Sequence, residues 1–173
     1  MRRISPSGAL FGVMLSLAGC SSASKKAPEL DGASLPEVKF QALSPRVVQL
    51  SVQNRRTVNR EAGNAAEVEE AVRRALTSAL ERGGIKVKET ASNKFNVVIS
   101  DYPSRTTQGE CVKVNTELRA KWGNSLVTEG FGCHTLKHLI GFSLGGDLSE
   151  AYRQALSMTL EYLENNQMKL IGR

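Results

Sequence analysis

Residues 112–122 read VKVNTELRAKW. Val112, Val114, Thr116, Leu118, Ala120 and Trp122 alternate with Lys113, Asn115, Glu117, Arg119 and Lys121. A period of two puts the first set on a core-facing side of a strand and the second set in water. Gly123-Asn124 follows as a hairpin turn, and Ser125–Cys133 returns as the partner strand. The longest alternating run in the chain is therefore one arm of a hairpin whose Val, Leu and Trp side is ready to receive a helix.

Two helices offer themselves on either side. Upstream, Asn64 stands at a cap position, with Glu67, Glu69 and Glu70 in the first turns, and Gly83-Gly84 ends the run. Val68, Val72, Ala75, Leu76, Ala79 and Leu80 form one apolar stripe between them. Downstream, Asp147 with Glu150 three residues later has the capping-box pattern. The stripe there is Leu148, Ala151, Tyr152, Ala155, Met158, Thr159, Tyr162 and Leu163. Two more strands are expected, at Arg46–Asn54 (RVVQLSVQN) and Lys94–Ser100 (KFNVVIS), with a short strand or lead-in at Ile85–Lys88. The order β-α-β-β-β-α predicts an α+β fold: a mostly antiparallel sheet of about four strands with two helices packed on one face.

The N-terminus is an address. Arg2 and Arg3 precede an uncharged, mostly apolar stretch, Ala9–Ala18, too short to span a bilayer. It runs into Leu17-Ala18-Gly19-Cys20, which resembles the bacterial lipobox. The resemblance implies cleavage before Cys20 and acyl chains on that cysteine. Two or three chains on one residue make attachment effectively permanent where one is marginal. By the same analogy Ser21, in place of the Asp that retains lipoproteins at the inner membrane of enteric bacteria, points to the outer membrane, with the domain facing the periplasm. The expected organisation is a signal peptide over 1–19, a lipidated N-terminus and flexible tether over 20–45 with a short strand near Val38–Leu43, and one periplasmic domain over 46–173.

Export reframes the composition. The 173 residues carry 23 Lys+Arg and 17 Asp+Glu, a formal charge of +6. Removing Met1–Gly19 takes away two Arg and no acid, leaving +4, too modest to imply a polyanion, and the periplasm offers no nucleic acid as a partner. Of three Cys, Cys20 takes lipid; Cys111 and Cys133 are left in an oxidising compartment where a disulfide is favoured. A two-residue turn at Gly123-Asn124 would pair Cys133 with Val114 and put the two cysteines on opposite faces. The bond then needs a shifted register, a bulge or a bend at Gly130 and Gly132.

The lipobox and tether, followed by this order of elements, resemble the YajG-like uncharacterised lipoproteins. The stretches that carry the likeness are LSVQNRR at Leu50–Arg56, AVRRALTSALERGGIKV at Ala71–Val87, and the hairpin followed by a terminal helix over Asp147–Leu163. The resemblance implies a non-catalytic binder or assembly partner in the cell envelope, with an envelope protein as partner and no cofactor.

Candidate chemistry is sparse. Arg55, Arg56 and Arg60 form a basic loop suited to phosphate or carboxylate, the groups that anionic lipid, lipopolysaccharide and peptidoglycan present; Arg105 lies on another loop. Cys111, Cys133, His134 and His138 are a nominal zinc set, but side chains of the adjacent Cys133 and His134 diverge in a strand, so no metal is expected. Gly141-Phe142-Ser143-Leu144-Gly145 matches the letters of a nucleophile elbow. Both His precede Ser143, against the hydrolase order, so no catalytic residue is assigned. Leu136–Leu144 is apolar for a connector: it is expected to pack on the core, the alternative being an exposed patch for a partner or a membrane surface.

Overall fold

The computed structural model describes residues 27–56, 65–102, 110–134 and 148–172. Strands β1 (Val47–Asn54), β2 (Lys86–Val87), β3 (Asn93–Asp101), β4 (Glu110–Arg119) and β5 (Ser125–His134) form one sheet in the order β2-β1-β3-β4-β5. Helix α1 (Ala65–Arg82) connects β1 to the β2–β3 segment, and α2 (Ser149–Asn166) follows β5. The α+β class is as expected, but the sheet is mixed. β1 runs parallel to both β2 and β3, while β3–β4 and β4–β5 are antiparallel. The cause is α1, which carries the chain back to the end where β1 began, so the strands after it start in the same direction as β1.

Register puts both helices on one side. Val48, Leu50 and Val52 of β1 pair with Asn93, Phe95 and Val97, and Phe95, Val97 and Ile99 pair with Leu118, Thr116 and Val114. Leu118, Val114 and Val112 pair with Leu126, Gly130 and Gly132. Directly paired residues share a face. These residues are buried, α1 packs on β1, and α2 packs on β5 and β4. The opposite, helix-free face carries Gln49, Ser51, Asn96, Ser100, Lys113, Asn115 and Glu117.

The hairpin turns differently from expectation. Gly123 N–H donates to Ala120 O (3.0 Å) and Ala120 N–H donates to Asn124 O (2.8 Å), closing a three-residue loop, Lys121-Trp122-Gly123. Gly123 has φ +93°, the left-handed geometry that such a loop requires and a side chain resists. The ladder therefore pairs Arg119 with Ser125 and runs unbroken to Glu110–His134, which sets Cys111 opposite Cys133. Trp122, expected on the core side, sits in the turn and is 72% exposed.

Gly130 and Gly132 serve packing rather than a bend. A Cβ on Gly130 would lie 2.2 Å from Ala155 O, and one on Gly132 2.0 Å from Ala151 O. The small face Ala151/Ala155 of α2 thus rests on bare strand backbone. In α1 every residue of the expected stripe is buried. In α2 the buried stripe includes Leu156 and Leu160, while Met158 and Tyr162, assigned to the core from spacing, are exposed. Asp147 lies outside the described residues; Leu148 occupies the N-cap of α2 without a side-chain cap, and Glu150 accepts from Arg153 and Gln154.

The expected flexible tether is largely a structural strap. Leu35, Val38, Phe40 and Leu43 are buried in the core, and Phe40 meets Phe95 edge-on with centroids 6.5 Å apart. The Arg82 guanidinium at the end of α1 donates to Gly32 O and Leu35 O (2.6 and 2.7 Å). Glu164 and Gln167, at the end of α2, accept from the Lys39 and Ala42 N–H groups (2.9 Å each). The strap ties together the C-terminal ends of both helices. It ends at Pro45, whose carbonyl accepts from the buried Asn93 amide that also donates to Val47 O.

Candidate functional site

The sheet has two unlike ends. At the strap end lie Val47, Asn93, Arg119 and Ser125. At the other, the loop end, lie Arg56, Tyr102, Glu110 and His134, which border segments 57–64, 103–109 and 135–147. Of the residues singled out from sequence, Arg55, Arg56, Cys111 and Cys133 are described and lie toward the loop end.

The basic loop does not present its arginines together. Arg55 is exposed, and its Nη2 donates to Gln53 Oε1 (2.8 Å). The Arg56 side chain is only 6% exposed, and its Nε meets Asp101 Oδ1 at 3.1 Å. Its backbone N–H donates to Asn54 Oδ1, which fixes the turn out of β1. Arg56 is thus a structural cation joining β1 to the end of β3. Burying one such charge without its partner is costly, so the pair behaves as a unit. Arg60 and Arg105 lie outside the described residues.

Tyr152, in the first turn of α2, is fully buried beside this pair. Burial pushes its phenol well above the ordinary tyrosine range; the Arg56 charge opposes the shift and the Asp101 charge adds to it. The group stays neutral and acts as packing with a polar tip.

Cys111 and Cys133 form a disulfide on the helix-free face, with Cys133 exposed. It fastens β5, an outer strand of the sheet, to β4. Next to it in β5, Phe131 stacks on Tyr102 with centroids 5.6 Å apart and rings 18° from parallel. Both rings are partly exposed, 48% and 40%. Bonded as they are, the two sulfurs are not thiolate ligands. Among the described residues no three His, Cys, Asp or Glu side chains gather as a metal site. The remaining sequence candidates, Cys20, His138, Ser143 and Leu136–Leu144, lie outside the described residues, as does the His134 side chain.

Sequence reasoning missed the Arg56–Asp101 pair and the Tyr102–Phe131 stack. Their partners are 45 and 29 positions apart; the parallel β1–β3 pairing brings the first together and the β3–β4–β5 register the second. The one local trace was Asp101 itself, an acid closing an otherwise uncharged strand end.

The fold is similar to that of a Xanthomonas campestris protein of the DUF330 family. That likeness has a TM-score of 0.54 at 13% identity and covers 86% of this chain and 99% of the other. A PelC dodecamer from Paraburkholderia phytofirmans is a more distant match, with TM-score 0.43, 19% identity, and coverage of 68% of this chain and 87% of that one. No family profile and no curated protein matches the sequence. The class these observations define is a one-sided α+β domain: a five-stranded mixed sheet, two helices on one face, and an N-terminal strap. No helix among the described residues is long and apolar enough to cross a membrane.

Proposed function

We propose that this chain is a bacterial lipoprotein whose domain acts as a non-enzymatic accessory or assembly partner in the cell envelope. The observation that carries the reading is Leu17-Ala18-Gly19-Cys20 directly after a short apolar stretch with a basic start. The Cys111–Cys133 disulfide agrees with export, since such bonds persist in oxidising compartments. The strap shortens the tether: Ala27 is seven positions after Cys20, so an acylated Cys20 holds the domain within roughly 25 Å of the bilayer at full extension. The outer membrane, periplasm-facing, is the assigned location. An anionic ligand at the basic loop is the weaker reading, because the Arg56 guanidinium is already committed to Asp101.

Metabolic labelling with an alkynyl palmitate tests the anchor. The wild-type chain incorporates label and stays with membrane through a high-salt wash, and Cys20→Ala does neither. An unlabelled wild-type chain refutes the lipoprotein reading. Crosslinking in intact cells then tests the accessory role: a recurrent protein adduct supports it, and its absence refutes it.

A further inference from the structure

The strap end of the sheet carries an aromatic, basic corner that the anchor and the loop end do not explain. Register places Lys86 of β2 level with Val47, Lys94 of β3 opposite Arg119 of β4, and Arg119 opposite Ser125. Lys86, Lys88, Lys94 and Arg119 are exposed and form a basic row across the helix-free face. Lys121 extends it into the hairpin turn, where its Nζ lies 5.0 Å from the centre of the Trp122 ring. On the helix-free face the acids of this end are Glu117, which is ion-paired with Arg119 at 2.7 Å, and the exposed Glu89; Glu37, Glu81 and Glu164 lie on the strap and at the helix ends. Hydrogen bonds from Arg119 and Asn96 hold the Glu117 carboxyl below the usual range, so it stays ionised and Arg119 is partly neutralised. Lys86, Lys88, Lys94 and Lys121 keep the end basic.

Apolar side chains share the same corner. Trp122 is 72% exposed, and Met168 and Ile171 of the C-terminal turn Gln167–Ile171 are about half exposed. The Asn124 amide donates to Leu170 O (2.9 Å), which docks the hairpin tip on that turn. Lys169 adds a further exposed cation.

We propose that this corner is a second membrane contact, seating on the surface of an anionic phospholipid bilayer. Charge complementarity selects the occupant: a lysine row matches anionic headgroups, and lysines keep their charge in the headgroup layer while their stems lie along apolar surface. A protruding indole suits the interface, where one part of the ring is apolar and the N–H stays wet. The tether is short, since Ala27 is only seven positions after Cys20 and lines the same groove as Ala71, Arg74 and Ala75 of α1. This inference rests on the membrane-anchored reading above and deepens it, by stating which end of the domain faces the lipid.

Trp122 is the only tryptophan, so it reports its own insertion. The mature chain from residue 20, carrying Cys20→Ser so that no acyl chain contributes, is titrated with vesicles of phosphatidylcholine alone and of phosphatidylcholine with phosphatidylglycerol. With anionic vesicles the emission shifts to the blue and the chain co-sediments, and added salt reverses both. Neutral vesicles produce neither effect. The triple variant Lys86→Gln/Lys94→Gln/Lys121→Gln, removing three exposed charges, binds about a hundredfold more weakly with an unchanged circular dichroism spectrum. Absence of a shift, equal shifts with both vesicles, or a triple variant that binds like its parent overturns the proposal. Palmitate labelling of Cys20 is read separately: a labelled wild-type chain whose Cys20→Ser form ignores anionic vesicles keeps its anchor and loses this patch.

Discussion

Replacing Gly132 with alanine adds one methyl group where the backbone of α2 already lies. The new Cβ would sit 2.0 Å from Ala151 O, 2.8 Å from the Ala151 carbonyl carbon and 2.9 Å from Gln154 Cβ. The first two obstacles are helix backbone, which cannot rotate away. To bring the 2.0 Å approach out to the 3.4 Å of ordinary contact, α2 must move off β5 by about 1.4 Å, and a gap of about 1 Å already forfeits up to half of each dispersion contact it opens. The contacts at stake are those of Ala151, Tyr152, Ala155 and Leu156, all buried against the sheet. Overpacking of this kind costs about 1–3 kcal/mol, and the rigid obstacle places Gly132→Ala near the top of that range, about 3 kcal/mol. Urea denaturation is the assay: with a slope of ~1.5 kcal/mol/M the midpoint falls by about 2 M at unchanged slope. Gly123→Ala is the control, since nothing lies within 4 Å of its Cβ and only backbone strain of about 1–2 kcal/mol applies. A Gly132→Ala chain that loses less than its Gly123→Ala counterpart would refute the seating of α2 on bare strand.

Three further outcomes are expected. The double variant Cys111→Ser/Cys133→Ser loses about 3 kcal/mol through the freed loop of the unfolded chain, and a reducing agent brings wild type to the same urea midpoint. Tyr152 holds its proton longer folded than unfolded, so the unfolded chain loses protons first and stability falls as pH rises past the ordinary phenol value of 10.0; below that pH this contribution is complete. Tyr152→Phe therefore shows a shallower alkaline loss in denaturation midpoints taken across that range. Phe40→Ala costs about 3–5 kcal/mol in the same assay, whereas a free tether residue would cost nothing.

What was legible in the sequence followed from local periodicity. The α1 stripe from Val68 to Leu80, with Gly83-Gly84 after it, was complete, because a 3.6-residue period and a stop signal act within one element. The alternation of β1, β3 and β4 was equally plain. The hairpin register was not, because Trp-Gly-Asn admits either a two-residue or a three-residue loop, and that choice moves every pairing along the ladder. Val38–Leu43 suggests only a short strand within a tether, and no strand forms there; the strap that buries Leu35, Val38, Phe40 and Leu43 is not legible until the ends of both helices are in place. Met158 and Tyr162 were misassigned because a helix lying on bare strand backbone presents small residues to the sheet, which rotates its larger ones outward. Of the candidate site, the Cys111–Cys133 bond was legible from parity and compartment, while the Cys20 motif lies outside the described residues and stands as part of the proposal. The fate of Arg56 depended on Asp101, a partner 45 positions away.

The strap also sets an order of events for the chain as it is made. Its hydrogen bonds to Glu164 and Gln167 join residues 125 to 128 positions apart. The first part of the domain to be synthesised must therefore wait for nearly the last. Contacts so distant in sequence form late, after the intervening loop has been closed. A nascent chain ending before residue 164 holds α1 and the hairpin but lacks the acceptors that clamp the strap, so the domain closes only when its final turns emerge. Through synthesis the chain stays open at the end that later binds its own beginning.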